Sequence, residues 1–155
     1  MSPRLKTLQF LAIVFTALAL VPGGAHLFAL PNKIGMDQVS YFAAQSAYRG
    51  WALFGIVLVA ALAANLTLAY ALRAQQAAAI LALAAATCIM LTLIVFFAWI
   101  YPANVATGNW TTAPDNWREL RTVWEYAHAA NALIAFAALC AITLAVLTAA
   151  RRDAG

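Results

Sequence analysis

Apolar positions gather into four long blocks, at about residues 8–30, 51–72, 77–101 and 123–150, and almost every charged residue falls between them. Each block approaches or exceeds the ~20 residues that a helix needs to cross ~30 Å of hydrocarbon. Strands of a membrane barrel would be about half as long, so the block length excludes that architecture. The pattern predicts an all-α chain, a single membrane domain over residues 1–155. Its expected form is an integral membrane four-helix bundle of up-down-up-down topology, with outer loops at 31–50 and 102–122. Within the first outer loop, Asp37 opens a short helix. Tyr41, Phe42, Tyr48 and then Trp51 give that segment the character of an interfacial lid.

Composition supports the same class. Hydrophobic residues make up 66% of the chain and charged ones 9%, against about a quarter charged in an ordinary soluble domain. Arg4 and Lys6 precede the first block, Arg73 sits between the second and third, and Arg151 and Arg152 follow the fourth. Asp153 is the one acid on that side. Lys33, Arg49, Arg118 and Arg121 in the opposite loops are offset by Asp37, Asp115, Glu119 and Glu125. The basic residues crowded against span ends place both termini in the cytoplasm and the longer loops outside. The expectation is a multi-pass protein of the inner (plasma) membrane. The formal charge of +4 reflects that anchoring and points to lipid as a partner, with no reason to invoke nucleic acid. A signal-peptide reading competes for the first block, with Gly23-Gly24-Ala25 as a cleavage site that would leave His26 as a new N-terminus. Pro22 beside the cut, and the apolar run resuming through Leu27, Phe28 and Leu30, argue for retention.

Few polar side chains interrupt the blocks. Asn65, Thr67, Thr87, Thr92 and Thr143 suit bonds to their own or neighbouring helices. Cys88 and Cys140 fall at similar depth, yet a buried thiol ordinarily behaves as a small apolar residue. Ala78, Ala82 and Ala86 recur at four-residue spacing and favour close helix contact, within one chain or in a homo-oligomer.

The outer end carries more chemistry. Pro22-Gly23-Gly24 removes a backbone donor and loosens a turn, which predicts a kink or break just before His26. His26 lies ~6 Å from the outer end of its span and His128 ~8 Å from the same side, counted at 1.5 Å per residue. Thr112-Ala113-Pro114-Asp115 and Asn116-Trp117-Arg118-Glu119 both resemble helix starts of the capping-box type. The fourth helix therefore begins in the outer loop. Trp117, Arg121, Trp124, His128, Asn131 and Ala135 then share one stripe by steps of four and three. Glu125 beside it completes an Arg121–Glu125–His128 ladder able to orient the imidazole and raise its basicity. An aromatic belt and an ordinary salt bridge explain the tryptophans equally well, but not His128 and Asn131 below them.

Pro102-Ala103-Asn104, then Trp110, then Asp115 to Arg118, then Trp124-Glu125-Tyr126-Ala127-His128 resembles the motif of the anthrone-oxygenase-like family. These are small four-span membrane proteins, many known only as a domain of unknown function. The resemblance covers the hydropathy layout of the whole chain, but the distinctive motif runs only from Asn104 to His128. It carries Asn104, Trp117, Trp124 and His128 over as candidate positions. Many members have a basic residue shortly after the His, whereas Asn131 stands at that spacing here. The resemblance implies cofactor-independent oxidation of an anthrone-like aromatic substrate by molecular oxygen. In that scheme His128, tuned by Glu125, is the general base. Trp110, Trp117, Trp124 and His26 bind a flat hydrophobic molecule, and Asn104 or Asn131 hydrogen-bonds the developing enolate oxygen. No cofactor is expected.

Two other readings stay open. One is a non-catalytic membrane protein that holds a lipid, quinone or partner helix in the same outer site. The other is a metal site of His26, His128 and Glu125, a two-His-one-carboxylate set. Transport is disfavoured, since neither an inverted repeat nor an ionisable residue near the bilayer centre is evident.

Overall fold

The computed structural model describes residues 2–152. Among the described residues all regular structure is helical, and four helices are long and apolar enough to cross a membrane. They are α1 (Pro3–Lys33), α3 (Phe54–Ala71), α4 (Gln76–Val95) with its continuation α5 (Tyr101–Ala106), and α6 (Trp117–Arg152); the short helix α2 (Gln38–Gln45) follows α1. This arrangement is compatible with an integral, multi-pass membrane protein. The helices run beyond the apolar blocks, so the stretch between α5 and α6 is far shorter than an outer loop of 102–122.

Each long helix buries a seam with steps of three and four residues. In α1 the buried positions are Gln9, Ala12, Thr16, Ala19, His26 and Lys33. Gly23 falls in the same register, which is the 3.5-residue repeat of helices packed side by side. Between Leu8 and Leu30 every polar side chain of α1, Gln9, Thr16 and His26, lies on that inner seam, while Phe10, Leu11, Leu18, Val21 and Phe28 face outward. An outer surface as apolar as the lipid around it leaves the interior as the place where side-chain hydrogen bonds can be made.

Two of those bonds join helices. Asn65 Nδ2 on α3 donates to Thr16 Oγ1 on α1 at 3.1 Å, with both residues fully buried. Asn131 Nδ2 on α6 donates to the Thr92 carbonyl on α4 at 3.2 Å. Helix α1 packs against α3 and α6, and α4 packs against the same two. The half of the bundle nearer the chain termini closes around Ala12, Leu68, Ala78, Ala82, Ala85, Ile142, Ala145 and Ala149. The alanines of α4 thus serve contacts within the chain. Cys88 is half-buried, Cys140 is exposed, and neither forms a disulfide.

The expected break at Pro22-Gly23-Gly24 does not occur: α1 runs unbroken through Pro22 and Pro31. The missing donors at the two prolines cost less than a broken span, which would expose several backbone groups to hydrocarbon. Gly23 has a different purpose. A Cβ at that position would lie 3.1 Å from Ala132 Cα and 3.3 Å from Ala132 N, so the missing side chain lets α1 and α6 touch backbone to backbone.

The third long helix also passes a proline. A π-helical turn over Phe96–Ile100 widens the helix, and Pro102 then falls in the first turn of α5, where no intrahelical N–H is needed. Asp37 caps α2: its Oδ1 accepts the Ser40 amide at 3.0 Å and its Oδ2 the Ser40 hydroxyl at 2.8 Å. Those bonds, the amide first, hold the Asp37 carboxyl below its ordinary range. Two 3-10 turns, Ser46–Tyr48 and Trp51–Leu53, then lead into α3.

The neighbouring glycines make the packing claim testable. A Cβ at Gly24 meets nothing within 4 Å, so Gly24→Ala should gain about 0.5–1 kcal/mol from helix propensity. Gly23→Ala should fall below it by at least ~1 kcal/mol through overpacking. Unfolding of the detergent-solubilised variants measures both, and equal stabilities would refute the contact.

Candidate functional site

The C-terminal end of α1 and the N-terminal end of α6 meet, with α2 and the α5–α6 turn over them. On α6, Trp117, Arg121, Trp124 and Glu125 are buried, while His128 and Asn131 are half-buried. On α1, seven residues separate the buried His26 from the buried Lys33, two turns along one seam. The His26 and His128 rings lie 4.1 Å apart between centroids at 37°. Trp124 stands edge-on to both, 4.7 Å from His26 and 4.2 Å from His128. Tyr48 at 4.2 Å and Trp51 at 5.9 Å close the other side of His26.

Above the imidazoles sits a buried ion pair. Lys33 Nζ is 2.8 Å from Glu125 Oε1, with side-chain exposures of 4% and 0%. Tyr41 Oη donates to the same carboxylate oxygen at 2.9 Å and accepts from Gln45 Nε2 at 2.7 Å. Burial first, and then the Glu125 carboxylate, push the Tyr41 phenol far above its ordinary value, so it stays protonated and remains a donor. Lys33 also lies 4.6 Å from the Tyr48 ring centroid and 5.2 Å from that of Trp124. Aromatic faces replace part of the hydration that the ammonium gave up.

This geometry corrects the ladder expected along α6. Glu125 takes its partners from α1 and α2, while Arg121 Nη1 donates to the Met36 carbonyl at 2.6 Å. The Arg121 guanidinium lies over the Tyr41 and Trp117 rings. Ladder spacing puts Arg121 and Glu125 on neighbouring faces, but a cross-chain partner decides where each points. The two asparagines are also engaged. Asn104 Oδ1 accepts from Trp124 Nε1 at 2.8 Å and from Trp110 Nε1 at 3.3 Å, and Asn131 Nδ2 gives one of its two N–H groups to the Thr92 carbonyl. Both act here as ties that hold other groups in place. Among the described residues no three His, Cys, Asp or Glu side chains come together as a metal donor set. His26 and His128 stack, and Glu125 faces the ammonium.

Trp110 stands in a strained turn. Gly108, Asn109 and Trp110 all have positive φ, 56°, 55° and 63°. For a bulky residue such as Trp this conformation costs on the order of 1–3 kcal/mol. Surrounding bonds over-determine it: the Trp110 amide donates to Thr107 Oγ1 at 3.1 Å, and the Asn109 amide to the Asn104 carbonyl at 2.7 Å. The ring packs 5.1 Å from Tyr41, 5.7 Å from Phe42 and 5.5 Å from Trp124. Trp110, Trp117 and Trp124 thus form one buried cluster with Tyr41, Ile100 and Ala103.

Sequence reasoning missed Lys33, Tyr41, Gln45 and Tyr48 as members of this site. Ending the first span at Leu30 left Lys33 in a loop. Its place seven residues after His26 was the available signal. Comparisons of the chain with family models, curated proteins and solved structures find no match.

A buried pair loses more when halved than when removed whole. Lys33→Met or Glu125→Leu alone should each cost about 3–5 kcal/mol, and the double variant less than either. Denaturant unfolding followed by tryptophan fluorescence tests this, and additive losses would contradict it.

Proposed function

We propose that this protein is a multi-pass protein of the inner membrane whose outer end binds, and acts on, a hydrophobic aromatic molecule. In this reading the four helices cross up-down-up-down with both termini cytoplasmic, and α2 lies as an interfacial lid. The chain is anthrone-oxygenase-like. The observation that carries the reading is the His26–His128 stack, walled by Trp124, Tyr48 and Trp51 beneath a buried Lys33–Glu125 pair. A flat apolar substrate reaches such a site from the lipid, and tryptophan edges and faces suit its rings.

His128 acts as the general base on an acidic carbon beside an aryl ketone. The resulting carbanion passes an electron to molecular oxygen. In net terms one dioxygen converts the CH2 to a carbonyl: two C–H bonds break, one oxygen atom enters the product, and the other leaves as water. The chain supplies the base and the surroundings, and oxygen is the oxidant.

Non-catalytic holding of a lipid or quinone has one observation in its favour. The oxygen of Asn104 and one N–H of Asn131 serve structural bonds, to two indoles and to the Thr92 carbonyl.

His128→Ala in purified protein separates the two readings, with an anthrone and dissolved oxygen as the test system. Quinone formation by the native protein, lost on substitution while the fold and thermal unfolding are kept, is the expected result. Turnover retained by the variant would remove His128 from the chemistry. Aromatic binding without turnover in either protein would favour the holding role. Reporter fusions at the C-terminus should read cytoplasmic; an external reading would invert the orientation.

A further inference from the structure

The buried outer end concentrates polar atoms that no protein group satisfies. His26 Nδ1, Gln45 Oε1, Arg121 Nε and Glu125 Oε2 are all buried without a hydrogen-bond partner. Glu125 shows the imbalance most clearly. Its Oε1 accepts from the Tyr41 hydroxyl at 2.9 Å and faces the Lys33 ammonium at 2.8 Å as an ion pair without hydrogen-bond alignment, while its Oε2 has no partner. Lys33 faces a matching surplus. An ammonium has three N–H groups, and beyond Glu125 its neighbours are the rings of Tyr48 and Trp124, which accept no conventional hydrogen bond. Native interiors seldom leave such groups unpaired, and clusters of them mark places where a ligand or a reaction uses them. The formal charges add a sign. Lys33 and Arg121 against Glu125 leave at least one positive charge uncompensated among buried side chains.

We propose that Lys33, held by Glu125, binds the acidic oxygen of an aryl ligand, a phenol or the enol form of an aryl ketone, at the outer site. This rests on the aromatic-ligand reading above and names the group that recognises the ligand. The ligand oxygen accepts from Lys33 Nζ, and its O–H, while protonated, donates to Glu125 Oε2. The uncompensated charge then favours the oxyanion when the proton leaves. The site already holds one phenol in this manner: Tyr41 donates its hydroxyl to Glu125 with its ring among Trp110, Trp117 and Phe42.

Equilibrium dialysis of the purified protein against matched empty micelles tests this with two probes of one ring system, 2-naphthol and its methyl ether. The native protein should bind the naphthol at least tenfold tighter. Lys33→Arg should keep most of that preference, and the Lys33→Met/Glu125→Leu double variant, which avoids a lone buried charge, should bind both probes alike. Equal binding by the native protein, or a preference that survives in the double variant, overturns the assignment of Lys33 alone. Failure of the native protein to bind either probe overturns the aromatic-ligand reading and this assignment with it.

Discussion

A lysine and a glutamate facing each other at 2.8 Å within an apolar bundle end impose conditions on everything nearby. Desolvating either charge costs several kcal/mol, and attraction offsets that only with good geometry and further hydrogen bonds. The surrounding structure meets those terms only in part, and with particular groups. Tyr41 brings a hydroxyl from α2, Gln45 holds that hydroxyl, and the rings of Tyr48 and Trp124 face the ammonium. Helix α2 is therefore tied to the bundle by a hydrogen bond to a charged group as well as by packing. Arg121 adds a second anchor through the Met36 carbonyl.

Away from that ion pair the bundle is organised by where polar side chains are allowed to be. Lipid-facing positions of α1 are uniformly apolar, and Gln9, Thr16, His26 and Lys33 share the buried seam. The Thr16–Asn65 and Asn131–Thr92 bonds fix helix register at mid-bundle. Gly23 lets α1 approach Ala132 on α6, close to the level at which the two imidazoles stack. Helix continuity matters as much. Had α1 broken at Pro31, His26 and Lys33 would not lie two turns apart on one face.

The site has an inner and an outer layer of different character. The tryptophan layer is held by directed bonds: Asn104 gathers the indole N–H groups of Trp110 and Trp124, and the left-handed turn at Asn109-Trp110 is pinned by Thr107. The ionic layer is over-supplied with donors and acceptors and is the part with chemistry unspent. Such a division, rigid apolar walls with a few polar groups to set orientation, is common to sites for small hydrophobic molecules.

Several features were legible from the residue order alone. Block length and charge placement determined the four long helices, because hydrocarbon thickness sets a span's length and charged groups are costly inside it. Asp37 marked the start of α2, since a side-chain oxygen satisfies free amides at a helix start. The stripe from Trp117 to Ala135 followed from the 3.6-residue turn. Only the tertiary structure decided what the outer end does with its charges. Whether Glu125 pairs with Arg121 four residues away or with Lys33 on another helix depends on which cation is buried beside it. That in turn depends on α1 continuing through Pro31. The same holds for Pro22-Gly23-Gly24, which reads locally as a break. Packed against Ala132, it is instead the point of closest helix contact, because a missing side chain is worth most where another backbone comes near.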